Sequence, residues 1–399
     1  MVNNAHVFVV DATTFPVHRD RLFCGVKNPY NENTRHGLYA DLFAVRPGDL
    51  VFFYQSRIDE PRKERGFRGI YRPISPPFFD KSNVRGFGDS RTLTVYGKCP
   101  NPKCREPYSL KSGKAGALGS RKCPICKKEH GQHILPNRVL IAPVSYYLYP
   151  VDDNTAYINH TNHGMLWTML FRKTFGAGRA RSITHILPEE AQKLARLLRR
   201  VNNNNASESY EFKRYKEPDQ VIKKRIELDL GPGPETKFES SLEAWIIRNI
   251  DKNVPILSEI VGPREELEYF GNNVLYGIGG EKVDILCLHK KAGVRYKATV
   301  IELKKGRVPE EALSQIEDYA YWIGQLSTAN VATPIEKLDI QPVLIGRGAT
   351  PNLKKKLVSF KPWSFPIPLA TKCNATVKEP ILLAYEVSKK AISFDRTNN

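Results

Sequence analysis

The stretch that decides the fold runs from Tyr276 to Ile323, YGIGGEKVDILCLHKKAGVRYKATVIELKKGRVPEEALSQIEDYAYWI. Two runs, Val283 to Leu288 and Lys297 to Lys304, flank a polar Lys-Lys-Ala-Gly turn, and their apolar enrichment predicts a hairpin. Side chains alternate along a strand, so Glu302 and Lys304 share one face about 6–7 Å apart at Cα, while Ile301 and Leu303 take the other. Asp284 lies between Val283 and Ile285 on the neighbouring strand, where the hairpin can bring its carboxylate beside that of Glu302. Two carboxylates so placed repel each other and are costly to bury unless a cation joins them, and oxygen ligands suit magnesium or manganese. Lys304 adds a positive charge able to orient or deprotonate a water, or to stabilise charge developing on a phosphate.

The flanks extend this pattern. A Gly-Ile-Gly-Gly turn precedes the Asp284 strand, and after Gly306 a helix is predicted in which Leu313, Ile316, Ala320 and Ile323 form an apolar stripe. Gln315 and Tyr319 lie one turn apart beside that stripe. With these residues the sequence resembles the PD-(D/E)XK nuclease superfamily, in particular its RecB-like branch with a Gln-x-x-x-Tyr helix; Val283 stands where the family name has proline. The resemblance implies an α/β core with a mixed sheet, phosphodiester hydrolysis, and a metal-binding glutamate on a helix before the hairpin. Phe238 to Ile250, FESSLEAWIIRNI, supplies Glu239 and Glu243, one turn apart and flanking the stripe of Leu242, Ile246 and Ile250, so both can face the sheet.

The whole chain fits a polyanionic partner. Lys and Arg number 61 against 42 Asp and Glu, a net charge of +19 that draws DNA or RNA far better than a neutral small substrate. The 399 residues exceed one ordinary core. No apolar run approaches the roughly 18–20 residues that span a bilayer. The N-terminus MVNNAHVFVVDATTF has no signal-peptide pattern, so an intracellular, cytoplasmic protein is expected. Cysteines in such a setting read as metal ligands rather than disulfides.

Residues 1 to about 95 read as β-rich. HVFVVD from His6, LVFFY from Leu50 after an Arg-Pro-Gly-Asp turn, and GFRGIYRPI from Gly66 are the expected strands. The Pro-Gly-Asp turn feeding an apolar strand, then a Gly-Ile-Tyr strand ending in Ser-Pro-Pro-Phe-Phe-Asp, resembles the small β-barrels of the PUA and EVE superfamily. That likeness implies nucleic-acid binding, in some members with a modified base flipped into a pocket. Between Gly97 and Leu135, Cys99 and Cys104 pair with Cys123 and Cys126 across a Lys, Gly and Ser-rich loop, the spacing of a four-cysteine zinc ribbon. Four thiolates leave no open position, so that zinc is expected to be structural.

Arg172, Lys173, Arg179 and Arg181 surround Phe175, Gly176 and Gly178, where glycine lets backbone approach a phosphate and arginine can fork onto it. PEEAQKLARLLRR from Pro188 is an amphipathic helix with proline at its start and arginine at its end. Val201 to Ser209, VNNNNASES, reads as a linker. The expected organisation is a recognition domain over residues 1–200 with a zinc ribbon inserted at 97–135, a lead-in over 201–235, and a nuclease domain over 236–399.

These readings combine into a magnesium- or manganese-dependent DNA endonuclease of restriction type, with an N-terminal module reading a sequence or a modified base. Asp284, Glu302 and one of Glu239 or Glu243 would hold the metal, Lys304 would assist the nucleophile, and Gln315 and Tyr319 would position phosphate or lysine. A structure-specific repair nuclease and a non-catalytic reader are the alternatives. No membrane is expected as a partner, and a homodimer would supply the two active sites that duplex cleavage requires.

Overall fold

The computed structural model describes residues 4–10, 15–29, 31–55, 65–80, 96–98, 107–109, 135–158, 182–206, 210–212, 215, 224–276, 281–329, 335–367 and 373–397. Cys99, Cys104, Cys123, Cys126, Arg172, Lys173, Arg179 and Arg181 lie outside these residues. The described residues build two mixed sheets with helices packed on them. No helix among them is long and apolar enough to cross a membrane.

The first sheet holds β1 (Ala5–Val10), β2 (Phe23–Val26), β3 (Leu50–Gln55), β4 (Gly66–Pro73) and β5 (Phe78–Phe79). β6 (Tyr96–Lys98) and β7 (Pro107–Ser109) pair apart from it, and β8 (Asn137–Ser145), β9 (Ile183–Ile186) and β10 (Lys224–Arg225) complete it. Its order is β10-β5-β8-β4-β3-β1-β9, with β2 also on β8. β1 runs parallel to β3 and antiparallel to β9. The barrel expected from the sequence is corrected here: among the described residues no pairing joins the two ends, and the sheet is open. The half is also less purely β than expected, because α1 (Phe15–Arg21) and α2 (Glu32–Phe43) interrupt its strands. The side chain of Asn31 caps α2 by accepting from Thr34 N. After α3 (Asp153–Ile158), α4 (Pro188–Val201) follows the predicted amphipathic pattern and buries Ala191, Leu194, Leu197 and Leu198.

The second half begins with α5 (Glu239–Asn249) and α6 (Leu257–Val261). Its sheet contains β11 (Leu267–Tyr276), β12 (Glu281–Lys291), β13 (Val294–Leu303) and β14 (Lys337–Gly346), then β15 (Trp363–Pro366), β16 (Asn374–Val377), β17 (Ile381–Ser388) and β18 (Ala391–Arg396). β11, β12 and β13 form an antiparallel meander. α7 (Glu311–Thr328) then carries the chain from β13 to its parallel neighbour β14, as a parallel pair requires. β14 pairs in parallel with β16 along its first part and with β17 along its last. α8 (Pro351–Ser359) starts on a Thr350 cap. The β12–β13 hairpin turns on two residues, Ala292 at φ 48° and Gly293 at φ 86°, between the paired Lys291 and Val294. Two successive positive φ values match the strands' right-handed twist.

The two halves share their cores. One buried apolar cluster joins Val7 and Leu194 to Leu286 and Leu344, and a second joins Phe8 and Phe53 to Leu242, Phe270 and Ile301. α2 packs against α5, and His36 Nδ1 lies 2.6 Å from Ser241 Oγ between them. The Asn4 side chain donates to Phe270 O at 3.0 Å and accepts from Phe270 N at 3.3 Å. Within the stretch read as a linker, buried Asn202 accepts from Tyr149 N and donates to Tyr149 O, both at 2.9 Å, fastening the end of α4 to the first half.

Candidate active site

β12 and β13 pair through Ile285 opposite Ile301. One step toward the N-terminus of β12 brings Asp284 to Glu302, so the antiparallel register sets the two carboxylates side by side. Leu303 N donates to Asp284 Oδ2 at 2.8 Å. Lys304 Nζ donates to Glu302 Oε1 at 2.6 Å, its side chain 28% exposed where that of Glu302 is 5% exposed. The lysine thus stands at the mouth of the site and the acids on its floor.

α5 lies over this end of the hairpin and contributes both candidate glutamates, which separate in role. Glu243 is buried and close enough to Asp284 to raise its carboxyl's pKa. Glu239, in the first turn and exposed, accepts from Lys305 N at 3.2 Å and acts on Glu302 and Lys304. From α7, buried Tyr319 directs its hydroxyl toward Glu302 and favours the ionised form. Gln315, one turn earlier on the same helix, is exposed.

The electrostatics follow from burial. Burial, then the Glu302 carboxylate and more weakly Glu243, pushes Asp284 well above the ordinary carboxylate range against the Leu303 N–H and Lys304. Burial and Glu239 also raise Glu302, opposed by Lys304 and Tyr319. Burial pulls the Lys304 ammonium down, but Glu302, Asp284 and Glu239 outweigh it and the net shift is upward. Buried Glu302 beside partly buried Asp284, both costly to ionise, is a site that a divalent cation would relieve. Among the described residues no group of three or more His, Cys, Asp or Glu side chains is placed to hold a metal ion. Magnesium asks for less, since it keeps several waters and takes one or two carboxylates, so the all-oxygen pair of Asp284 and Glu302 fits it.

Sequence reasoning missed the residues that hold Glu243. Asn272 Nδ2 donates to Glu243 Oε1 at 2.6 Å, and Asn273 Nδ2 donates to the same oxygen. Both belong to β11, whose Gly-Asn-Asn centre carries no strand signal.

No family model matches this sequence, and no curated protein matches it. Solved structures similar to about half the chain include human THYN1 in complex with 5-methylcytosine-containing DNA, at 12% identity and TM-score 0.26, covering 49% of this chain and 97% of that one. A Pseudomonas putida protein is similar at 13% identity and TM-score 0.26, over 48% of this chain and 98% of its own. A hypothetical protein from Leishmania major is similar at 10% identity and TM-score 0.28, over 50% of this chain and 96% of its own.

Proposed function

We propose that this protein is a metal-dependent DNA endonuclease whose N-terminal half selects the site, by sequence or by a modified base. The observation that carries the reading is the pair of partly buried Asp284 and buried Glu302, each carboxyl pushed upward, with Lys304 bonded to Glu302 and Glu243 beside Asp284. Asp284 and Glu302 would hold magnesium or manganese, with Glu243 beside Asp284 as the third acid the site offers, and the bound metal would supply a Lewis acid for the scissile phosphate and lower the pKa of a water. Lys304 Nζ, held by Glu302, orients the attacking water and balances charge developing on the phosphate. Tyr319 opposes the upward shift of Glu302. The excess of 61 basic over 42 acidic residues supports capture of DNA. The four cysteines at zinc-ribbon spacing would add a structural zinc.

A second reading, a modified-base reader that does not cut, is favoured by an aromatic cluster of the first half. The Arg19 guanidinium carbon lies 5.4 Å from the Phe15 ring centre, 5.9 Å from that of Tyr146 and 4.5 Å from that of Tyr210. Rings gathered around a flat cation can equally face a flat base.

Digestion of matched plasmids separates the two readings. Unmodified DNA, DNA with 5-methylcytosine as in the human THYN1 complex, and DNA with other cytosine or adenine modifications are incubated with magnesium or manganese. Cleavage of one class that Asp284→Ala abolishes while sparing binding supports the nuclease. Selective binding without any metal-dependent cleavage supports the reader and ends the nuclease reading.

A further inference from the structure

We propose that Asn272 and Asn273 are positioning residues for Glu243, and that the first half of the chain holds Asn272 through His185, His6 and Asp49. The proposal rests on the nuclease reading above and names what sets its upstream carboxylate.

Successive side chains on a strand point to opposite faces, so neighbours Asn272 and Asn273 should not reach one acceptor. They do, because Asn273 has φ 49°, a left-handed conformation inside β11 that turns its amide back toward Glu243 Oε1. Asparagine is the residue after glycine that enters this region most readily. A strand that departs from its own geometry to double the donors on one carboxylate oxygen is a local strain aimed at that oxygen.

Behind Asn272 runs a buried polar chain. Asn272 Nδ2 donates to Asp41 Oδ1 at 2.9 Å as well as to Glu243, so its Oδ1 is left to accept. It faces His185 Nε2 at 3.1 Å, which must carry a proton. His185 Nδ1 lies 2.8 Å from His6 Nδ1, and His6 Nε2 lies 2.8 Å from Asp49 Oδ2. The antiparallel register of β1 and β9 pairs His6 with His185, which puts both rings on one face. Asp49, His6 and Asn272 are fully buried and His185 is 2% exposed, so every link is shielded from bulk solvent. The chain starts in the first sheet, crosses between the halves, and ends on the carboxylate beside Asp284. The position of Glu243 is therefore set from the half that would read DNA.

The test uses the full chain and two readouts, manganese binding by calorimetry and cleavage kinetics. Removing a partner that orients a metal ligand typically weakens metal binding or activity about 10- to 100-fold. Asn272→Ala is expected to weaken manganese binding and lower kcat within that range with KM for DNA unchanged. His185→Leu should do the same, while His185→Gln, whose amide can donate from the place of Nε2, should recover most of the loss. Asn273→Gly keeps the left-handed backbone and deletes one donor, so it reports positioning even if Asn272→Ala folds poorly; a several-fold loss is expected. Manganese affinity and kcat unchanged in Asn272→Ala, His185→Leu and Asn273→Gly would overturn the positioning role while leaving the nuclease standing. Wild type binding manganese no more tightly than Asp284→Ala would overturn the nuclease reading and this proposal with it.

Discussion

Arg46 and Asp251 meet in a two-pronged ion pair across the halves, Nε to Oδ2 and Nη2 to Oδ1, each at 3.0 Å. Arg46 Nη2 also donates to Ile247 O at 2.7 Å, and its guanidinium covers the Phe270 ring. Burial raises the Asp251 carboxyl, but Arg46 outweighs it and the net shift is downward. The side chains are 15% and 7% exposed, so the pair is desolvated enough to matter and not wholly dry. Arg46→Ala leaves Asp251 without its main partner and should cost about 2–3 kcal/mol, somewhat below a fully buried pair. Because the halves share both cores, urea unfolding should show one transition with its midpoint lowered. Two separate transitions in the wild type would contradict the shared core.

The hairpin that carries Asp284 and Glu302 is closed by a suboptimal residue. Ala292 sits at φ 48°, where a Cβ costs roughly 1–2 kcal/mol, and Asn-Gly is the favoured pair for this two-residue turn. Ala292→Asn should therefore stabilise the protein by about 1 kcal/mol. Thermal unfolding measures it, and cleavage should be unchanged because the turn lies at the far end of the strands from Asp284. A lower melting temperature would contradict the turn geometry.

How much of this was legible in the sequence depended on local pattern. The β12–β13 hairpin, α7 and the grouping of Asp284, Glu302 and Lys304 follow from alternation and turn chemistry. α2 was not legible because Leu38, Tyr39, Ala40, Leu42 and Phe43 run together and mark no single helical face. β11 was hidden for the opposite reason: Gly-Asn-Asn at its centre reads as a turn, and it is the antiparallel pairing with β12 that makes it strand. The intimacy of the halves was also invisible, since the partners of Asn4, His36 and Arg46 lie more than two hundred positions away.

Two buried histidines give the stability a pH dependence. Burial lowers His289 to about 3, aided by Lys297, and lowers His36 to about 4, aided by Arg35. Unfolded histidine titrates near 6.5, so below that pH the unfolded chain binds protons that the folded chain does not. Stability is therefore fully present above about pH 6.5 and falls as pH drops toward the folded values, at a slope of at most about 1.4 kcal/mol per pH unit for each ring. His289 Nε2 lies 2.9 Å from Thr299 Oγ1, a contact that glutamine can keep. His289→Gln should leave stability near pH 7 little changed and make the urea midpoint fall less between about pH 6.5 and pH 5. An unchanged pH slope would show that His289 does not contribute.

The metal argument makes a prediction about the protein without metal. Asp284 is partly buried beside buried Glu302, whose carboxylate raises the cost of ionising it. Asp284→Asn removes one charge while its amide oxygen can still accept from Leu303 N, the contact that Asp284 makes at 2.8 Å. In the absence of divalent cation the variant should be more stable than wild type by about 1–2 kcal/mol, as a site strained for function commonly is. Magnesium should reverse the order. At a concentration about a hundred times its dissociation constant, it would stabilise wild type by about 2.7 kcal/mol and leave the variant unmoved. Thermal unfolding of both proteins, in chelator and then in magnesium, measures the four values. A wild type whose melting temperature ignores magnesium and manganese, or a variant that responds equally, would remove the cation from this pair of acids. Stabilisation of the metal-free variant alone would then mark Asp284 as an unrelieved charge.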